Sequence, residues 1–354
     1  HRTSRSRAEG PVEPRSETAL RGRVALVTGA AGHIGSNLTR ALLAAGCEVR
    51  ALIYDQDDGV RGLPVQQVVG DVCDKALLCR AAEGADYVFH LAARISIQGD
   101  PGGMVHRTNV HGTSAVVAAC LAARVRRLIH FSSVHALLPR SDRRPLTEDE
   151  PFSDVSPAPA YNHSKARGER EVLAGVARGL DAVILCPSGV LGPHDYGPSH
   201  ASKALLAMSR GRFPATVDGG FDWVDVRDVV RATLNAAVMG RTGERYLVGG
   251  HWLSLHDMAR VVAKVGGAPA PRVCAPMWAA RVGIKFYAAV HHWVGGEPLL
   301  TSEALHALRC YGPVSSEKAR RELGHAPRPI DDTVAETVAW LQRASASRAR
   351  GGQC

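Results

Sequence analysis

Tyr161 and Lys165 are four residues apart, in the segment Tyr161-Asn162-His163-Ser164-Lys165. On a helix this spacing places both side chains on one face, one turn apart. An ammonium held near a phenol favours the phenolate and lowers the pKa of the phenol from its ordinary value of about 10. Such a phenol can give or take a proton near neutral pH, as general acid–base catalysis requires. The alternative is a surface helix that happens to carry both residues.

A glycine-rich loop lies far upstream, directly after the apolar segment Val24–Thr28, which predicts a buried strand. A helical apolar pattern follows the loop, so the order is strand, glycine loop and helix. In this arrangement backbone amides and a helix N-terminus hold the pyrophosphate of a dinucleotide. The pattern predicts dinucleotide binding by the loop, which reads Gly29-Ala30-Ala31-Gly32-His33-Ile34-Gly35.

An acidic loop follows the second predicted strand, Glu48–Tyr54. Asp55 lies at a suitable distance downstream of the glycine loop to hydrogen-bond the adenosine ribose of a bound dinucleotide. Asp55, Asp57 and Asp58 would repel the 2′-phosphate of NADP, and no arginine stands at the strand end. The sequence therefore predicts NAD, with NADP as the alternative; a solvated acidic loop is the non-functional interpretation.

The segments between residues 24 and 186 alternate between strand and helix patterns. This alternation predicts an α/β protein with a Rossmann-type, doubly wound parallel sheet whose crossovers are right-handed. A smaller C-terminal substrate-binding lobe follows, and it can send segments back to the sheet. The predicted organisation is a disordered tail (1–20), an NAD(P)-binding Rossmann domain (21–186), the substrate-binding lobe (187–344) and a second disordered tail (345–354).

The net charge of +9 belongs largely to the two ends of the 354-residue chain. Residues 1–23 and 341–354 are arginine-rich, whereas the middle is near neutral, which argues against a nucleic-acid-binding patch on the folded body. Eight scattered cysteines, with no CxxC pair, favour a reducing, cytoplasmic location and no metal site. No run of 18 apolar residues is present, so we predict no membrane span.

An apolar, aromatic-bearing stretch at residues 274–294 carries two basic residues, Arg281 and Lys285. Its pattern is helical. It could form an apolar wall for the substrate, contact a membrane interface or simply pack in the core.

The motifs taken together resemble those of the short-chain dehydrogenase/reductase superfamily in its extended branch, over Val24 to about Leu341. The later segments are most similar to dihydroflavonol-reductase and hydroxysteroid-dehydrogenase relatives, and sugar epimerases share them. The motifs that carry the resemblance are Thr28-Gly29-x-x-Gly32-x-x-Gly35, Asp71-Val72, Leu91-Ala92-Ala93, Asn109-x-x-Gly112-Thr113, Ser132-Ser133, Tyr161-x-x-x-Lys165, Pro187-Ser188-Gly189, Val224-Asp225-Val226-Arg227-Asp228 and Lys318-Ala319-x-x-Glu322-Leu323-Gly324.

The resemblance implies a role for each catalytic candidate. Tyr161 would exchange a proton with the substrate oxygen, and Ser133, the second serine of its pair, would hydrogen-bond the same oxygen. Lys165 would bind the nicotinamide ribose and hold the pKa of Tyr161 down. Asn109 would support this geometry from its helix. The residues implied to bind the cofactor are Gly29, Ala31, Gly32, His33, Ile34, Gly35, Asp55, Asp71, Val72, Leu91, Ala92, Ala93, Tyr161, Lys165, Pro187 and Ser188.

Two departures narrow the reaction class. Dehydratases of the family carry an Asp-Glu pair after the strand-end hydroxyl, whereas Ser133 is followed by Val134-His135, so sugar dehydration is disfavoured. Leu138-Pro139 replaces a Tyr-Gly that is frequent in sugar-nucleotide epimerases. We therefore predict an NAD(P)-dependent oxidoreductase that interconverts a secondary alcohol and a ketone on a small, fairly apolar molecule. A nucleotide-sugar epimerase with retained NAD and a non-catalytic nucleotide sensor are the alternatives; a homodimer is expected from the resemblance alone.

Overall fold

A parallel sheet of seven strands is the centre of the molecule. The computed structural model describes residues 15–96, 99–139, 144–155, 158–213, 215–280, 305 and 308–351. The strands, in chain order, are β1 (Val24–Thr28), β2 (Glu48–Ile53), β3 (Gln66–Val69), β4 (Tyr87–His90), β5 (Arg127–Phe131), β6 (Ala182–Pro187), β7 (Gly189–Leu191), β8 (Thr216–Val217), β9 (Gly220–Asp225), β10 (Arg245–Val248), β11 (His251–Ser254) and β12 (Cys274–Ala275).

The order across this sheet is β3-β2-β1-β4-β5-β6-β10, and every neighbouring pair is parallel. The strand order reverses between β1 and β4, which makes the sheet doubly wound and creates a crevice at the carboxyl ends of these strands. The central strands are apolar on both faces because helices cover both faces. The predicted fold class is therefore confirmed.

Helices pack on both faces of the sheet and form two separate apolar cores. One core contains residues of α2, α8 and α10, and the other contains residues of α3, α5 and α6. The helices with defined bounds are α1 (Arg15–Leu20), α2 (His33–Ala44), α3 (Lys75–Ala82), α4 (Met104–His106), α5 (Gly112–Ala123), α6 (Ala160–Ala177), α7 (His200–Ser209), α8 (Val226–Met239), α9 (Leu255–Gly266), α10 (Glu317–Leu323) and α11 (Ile330–Gly351).

A smaller lobe is built around the three-stranded sheet β7-β9-β11. Its core joins α7, α9 and α11, and the buried Val334 and Val338 of α11 belong to the apolar stripe visible in the sequence. The chain also returns to the main sheet: β10 pairs with β6, and α8 packs against α2. Segments after residue 187 therefore build the lobe and also complete the main sheet.

Both predicted disordered tails contain helix in the structure. Leu20, at the end of α1, is fully buried, and its carbonyl accepts a hydrogen bond from the Cys47 thiol. Burial of this one large apolar side chain anchors a segment whose composition is otherwise polar. At the other end α11 continues to Gly351, through a stretch rich in the good helix formers Ala and Arg. Residues 1–14 and 352–354 lie outside the described residues.

The helical segment over residues 104–123 is interrupted. Arg107–His111 forms a π-helical turn between α4 and α5. Such wide turns are rare in proteins overall, but those that occur are frequently found at functional sites. This one contains Asn109.

Most of the apolar stretch at 274–294, including Arg281 and Lys285, lies outside the described residues. None of the described helices is both long enough and apolar enough to cross a bilayer.

Candidate active site

The carboxyl end of β5 and the start of α6 bring the three predicted catalytic side chains together. Ser133 follows β5 by two residues, Tyr161 lies in the first turn of α6, and Lys165 lies one turn later. The Ser133 hydroxyl lies near the Tyr161 phenol and lowers the pKa of that phenol. The Lys165 ammonium donates to the Phe131 carbonyl at 2.9 Å and lies 6.0 Å from the centroid of the Tyr161 ring. The spacing that is only suggestive in the sequence is a real cluster in the fold.

The protonation state of Tyr161 differs from the sequence-based expectation. Burial raises the pKa of Tyr161 to about 12, and the hydrogen bond with Ser133 opposes this only in part. Burial likewise lowers the pKa of Lys165 to about 8, against the opposing effects of Cys186 and Glu169. The expected lowering of the phenol pKa by Lys165 is therefore wrong for the protein alone, because desolvation outweighs an ammonium that points at a carbonyl. Tyr161 is protonated at neutral pH.

Asn109 ties the helix of Tyr161 to the segment after β4. Its side-chain amide donates to the Arg94 carbonyl at 2.9 Å and to the Ser164 hydroxyl at 2.8 Å, and its Oδ1 accepts from the Arg94 amide at 2.7 Å. The Ser164 hydroxyl in turn donates to the Tyr161 carbonyl at 2.7 Å. Asn109 makes these contacts from the π-helical turn, and it thereby fixes the start of α6 without touching the phenol.

The glycine loop has the shape that a bound pyrophosphate needs. Gly29 has φ +68°, and a Cβ there would lie 2.7 Å from the Ala92 amide nitrogen; a Cβ at Gly35 would lie 2.1 Å from the Gly29 carbonyl oxygen. Gly32 is the N-cap of α2, and no side chain caps this helix end. The first amides of α2, which begin at His33 and Ile34, are thus open to an anion. The loop therefore fits a dinucleotide.

A second glycine supports the same loop and was missed in the sequence. A Cβ at Gly59 would lie 2.4 Å from the Ala31 carbonyl oxygen, and the Gly59 carbonyl accepts from the Arg40 guanidinium at 2.8 Å. Gly59 lies 24 residues or more downstream of the loop, so no local pattern marks it.

The other predicted cofactor residues lie along the carboxyl edge of the sheet. The Leu91 amide donates to the Thr28 carbonyl at 3.1 Å, Ala92 lies against Gly29, and Ala93 is exposed. Asp71 and Val72 follow β3; Asp71 accepts from the Cys73 amide and from Arg107, and Val72 is buried against Gly112. Pro187 ends β6, and the Ser188 amide donates to the Val248 carbonyl at 3.2 Å. Their roles toward the cofactor stay predictions.

The acidic loop after β2 also contains Arg61, which lies beyond the strand end at which the sequence shows no arginine. Asp55 is exposed directly after the strand. Arg61 forms ion pairs with Asp57 at 2.5 Å and with Asp58 at 3.0 Å. These two carboxylates are partly neutralised, so the expected repulsion of a 2′-phosphate depends mainly on Asp55.

An aromatic wall beside Tyr161 joins His135, from the turn after β5, with Phe221 on β9 and Tyr311. The His135 ring lies 6.1 Å from Tyr161, 5.6 Å from Phe221 and 4.4 Å from Tyr311, measured between ring centroids. The Tyr311 hydroxyl accepts from the Asn162 amide at 2.9 Å. Burial lowers the pKa of His135 to about 4, so the ring is neutral and adds to an uncharged surface. Tyr311 is 150 residues from Tyr161, so sequence reasoning could not identify it.

Tyr311 also lines a cavity of about 610 Å³. Its walls are mainly apolar, with Arg309 and Asp218 as the charged groups among the described lining residues. The cavity is lined by Asp218, Gly219, Trp252, Met277, Trp278, Leu308, Arg309, Cys310, Tyr311, Gly312 and Pro313.

Comparison with known proteins places this geometry in a family. The sequence profile of the NAD dependent epimerase/dehydratase family matches residues 25–249. The chain belongs to this family. It is therefore an NAD-dependent enzyme of the extended short-chain dehydrogenase/reductase type.

Relatives of the family cover nearly the whole chain. Sterol demethylase protein B from Methylococcus capsulatus is 34% identical over 321 residues, which cover 90% of this chain and 98% of the relative. A putative dihydroflavonol 4-reductase from Synechocystis is 31% identical, with 89% and 94% coverage. The structure of a nucleoside-diphosphate-sugar epimerase from Pseudomonas aeruginosa, 28% identical, has a TM-score of 0.75 and covers 91% of this chain and 98% of its own.

A buried histidine connects the cofactor loop to Asn109 in this family member. His90, on β4, is 1% exposed; its Nδ1 lies 2.8 Å from the Thr28 hydroxyl and its Nε2 lies 3.0 Å from the Thr113 hydroxyl. The Thr113 hydroxyl donates to the Asn109 carbonyl, so it must accept from Nε2–H. His90 is thus the neutral Nε2–H tautomer, and Nδ1 accepts from Thr28. In the sequence, the one sign of this buried role is that His90 is a polar residue in the otherwise apolar strand β4.

This histidine predicts a loss of stability in acid. Burial, with a smaller effect of the Lys165 charge, lowers the pKa of His90 to about 3. The unfolded chain therefore binds a proton that the folded chain excludes, and stability falls as pH drops from about 6.5 toward 3. We expect His90→Asn to reduce the slope of unfolding free energy against pH by up to about 1.4 kcal/mol per pH unit in this window. Denaturant unfolding between pH 7 and pH 4 (about these limits) measures it; an unchanged slope, matching that of a His111→Gln control at an exposed site, would contradict it.

Proposed function

We propose that the protein interconverts a secondary alcohol and a ketone on a small, fairly apolar substrate, with NAD as the hydride carrier. Ser133, Tyr161 and Lys165 carry the proton chemistry. The observation on which the proposal depends is the cluster of Ser133, Lys165 and the protonated Tyr161 phenol at the carboxyl edge of the sheet, the edge that also carries the glycine loop. Site and cofactor loop lie on the same edge of the sheet, where doubly wound folds bind their ligands.

The residues divide the reaction into few tasks. Bound NAD would supply or accept the hydride at the carbinol carbon. Ser133 and Tyr161 would hold the substrate oxygen between their hydroxyls, and Tyr161 would donate its proton to that oxygen as a ketone is reduced. A phenol protonated at neutral pH is in the state that this direction requires. Lys165 would place its positive charge beside the site and stabilise the phenolate that remains.

The apolar character of the substrate is supported by the surfaces around the phenol. The neutral His135, Phe221 and Tyr311 form a wall with no charge. The cavity that Tyr311 helps to line is also mainly apolar. The names of both curated relatives refer to largely apolar ring systems, a sterol and a dihydroflavonol. Apolar walls with a few convergent polar groups are typical of small-molecule sites.

Net turnover of the cofactor tests the proposal. With NAD in excess, we expect apolar cyclic secondary alcohols to give NADH in proportion to ketone formed, observed by absorbance and by product analysis. A nucleotide-sugar epimerase would instead interconvert its substrates with no net NADH, because it regenerates its cofactor. Epimerisation of a nucleotide sugar without NADH release, and no NADH from any apolar alcohol in the panel, would overturn the proposal.

A further inference from the structure

A buried carboxylate, Glu169, lies one helical turn beyond Lys165 on the inner face of α6. It is 0% exposed. Its Oε1 accepts from the Ser132 hydroxyl at 2.5 Å and from the Cys186 thiol at 3.5 Å, and its Oε2 accepts from the Arg245 guanidinium at 2.7 Å. Burying a charged carboxylate is costly unless it is paired and hydrogen-bonded. Glu169 meets both conditions.

Arg245 is itself fixed from several directions. It enters from β10, the strand that the C-terminal part of the chain adds to the sheet. Its guanidinium also donates to the Glu148 carbonyl at 3.0 Å and stacks 4.6 Å from the centroid of the Phe152 ring. This ion pair therefore links the C-terminal strand of the sheet to α6, the helix that carries Tyr161 and Lys165.

The bond from Ser132 to Glu169 decides which serine faces Tyr161. Successive side chains of an extended segment point to opposite sides, and Ser133 has φ −161°, an extended value. Because Ser132 is turned into the interior by Glu169, Ser133 is presented to the phenol. The Lys165 ammonium holds the Phe131 carbonyl directly upstream. Lys165 and Glu169 together bind α6 to two consecutive residues at the end of β5.

Cys186 and Glu169 both raise the pKa of Lys165 against the effect of burial, and Glu169 is the ion-paired carboxylate of the two. The groups that face Lys165 are Tyr161 and Glu169 on its own helix, Cys186 on β6, and His90 and His130 on β4 and β5. Burial makes both histidines weak bases. Burial also raises the pKa of Cys186 well above its ordinary value, so this thiol is neutral when Lys165 titrates.

We infer that Glu169, held by Arg245, is a positioning residue for the Ser133, Tyr161 and Lys165 set. It keeps Ser133 aimed at the phenol through Ser132, and it keeps Lys165 protonated through its charge. Its catalytic consequence rests on the proposed function, whereas the protonation of Lys165 can be measured without any substrate.

The direct measurement is the titration of Lys165 in the protein labelled with ¹³Cε-lysine. The sequence has six lysines, so the NMR signals are few, and a Lys165→Arg variant identifies the one of interest. We expect Glu169→Gln to lower the pKa of Lys165 by about one unit, because a neutral amide no longer favours the ammonium. Glu169→Asp, which retains the charge, should restore most of the difference.

Glu169→Gln alone leaves the buried Arg245 without its carboxylate partner and could misfold for that reason. The double variant Glu169→Gln/Arg245→Met avoids this unpaired charge. It removes both charges, a change that buried ion pairs often tolerate, and the pKa of Lys165 should still fall. Asp228→Asn is the matched control. Asp228 lies on α8, away from the site, and forms a buried ion pair with Arg328 at 2.9 Å that this substitution breaks. An unchanged pKa of Lys165 in the folded double variant would overturn the electrostatic role, whatever substrate the enzyme accepts.

Turnover tests the positioning role. Ser132→Ala removes a single hydroxyl and leaves Glu169 and Arg245 paired. We expect kcat to fall several-fold with little change in KM, while the pKa of Lys165 stays at its wild-type value. Wild-type kcat in this variant would refute the positioning role. Should wild-type protein show no net NADH formation, the proposed function fails, and the lysine titration still decides the inference about Glu169.

Discussion

Replacing Tyr161 with phenylalanine is expected to lower kcat by about two to four orders of magnitude and to leave NAD binding nearly unchanged. General acid–base catalysis by a positioned side chain contributes a factor of about this size. The phenylalanine ring keeps the packing of α6 and removes only the hydroxyl that contacts Ser133. Steady-state turnover measures the first effect, and a titration of the protein with NAD measures the second.

Tyr246→Phe is the matched control for this substitution. Tyr246 is fully buried, on β10, and its hydroxyl donates to Glu322 at 2.8 Å and accepts from the Arg241 amide at 3.0 Å. Loss of these bonds should cost roughly 1–3 kcal/mol of stability while kcat stays at the wild-type value. If Tyr161→Phe lowers kcat no more than Tyr246→Phe does, Tyr161 is not the proton donor.

Gly35→Ala is expected to abolish measurable NAD binding. The new Cβ would lie 2.1 Å from the Gly29 carbonyl oxygen and 2.9 Å from the Ala30 Cα, so backbone would meet backbone within the cofactor loop. In a helix alanine is normally favoured over glycine by up to about 1 kcal/mol. Here the overlap prevails, because neither neighbour is a flexible side chain, and relief requires opening the turn that holds the pyrophosphate. Calorimetric titration with NAD should show at least about a hundredfold weaker binding, or roughly 2.7 kcal/mol.

The control glycine for this experiment is Gly197. A Cβ there meets nothing within 4 Å, and its φ lies outside the left-handed region. Gly197→Ala should bind NAD as the wild type does and unfold at a similar temperature. Wild-type NAD affinity in Gly35→Ala would show that the glycine loop does not hold the cofactor.

The sequence predicted the features that depend on residues close together in the chain. The β1 strand, the glycine loop and the start of α2 are consecutive, so their residue types alone predict a dinucleotide loop, and the structure has the expected close contacts at Gly29 and Gly35. The Ser254 and Asp257 pair likewise predicts a helix start, and its hydrogen bonds are present. Features of this kind depend on neighbours within one or two turns of chain.

Long-range burial explains where sequence reasoning was wrong. The spacing of Tyr161 and Lys165 predicts a lowered phenol pKa, yet the enclosing fold desolvates the phenol and raises it. Residues 15–20 look disordered by composition, yet Leu20 finds a buried position against the sheet. A desolvation cost or gain depends on atoms contributed by distant segments, and no local pattern contains them.

The sequence by itself determined the family and the parallel sheet and predicted the cofactor loop and the candidate proton-carrying residues, because each depends on residue types at short fixed spacings. Only the tertiary structure decided which side chains surround them. Tyr311 contacts Asn162, the neighbour of Tyr161, across 149 residues, and Glu169 meets Arg245 across 76 residues. These partners set the charge, the orientation and the apolar walls of the site. They come together because strands distant in the chain become neighbours in the sheet.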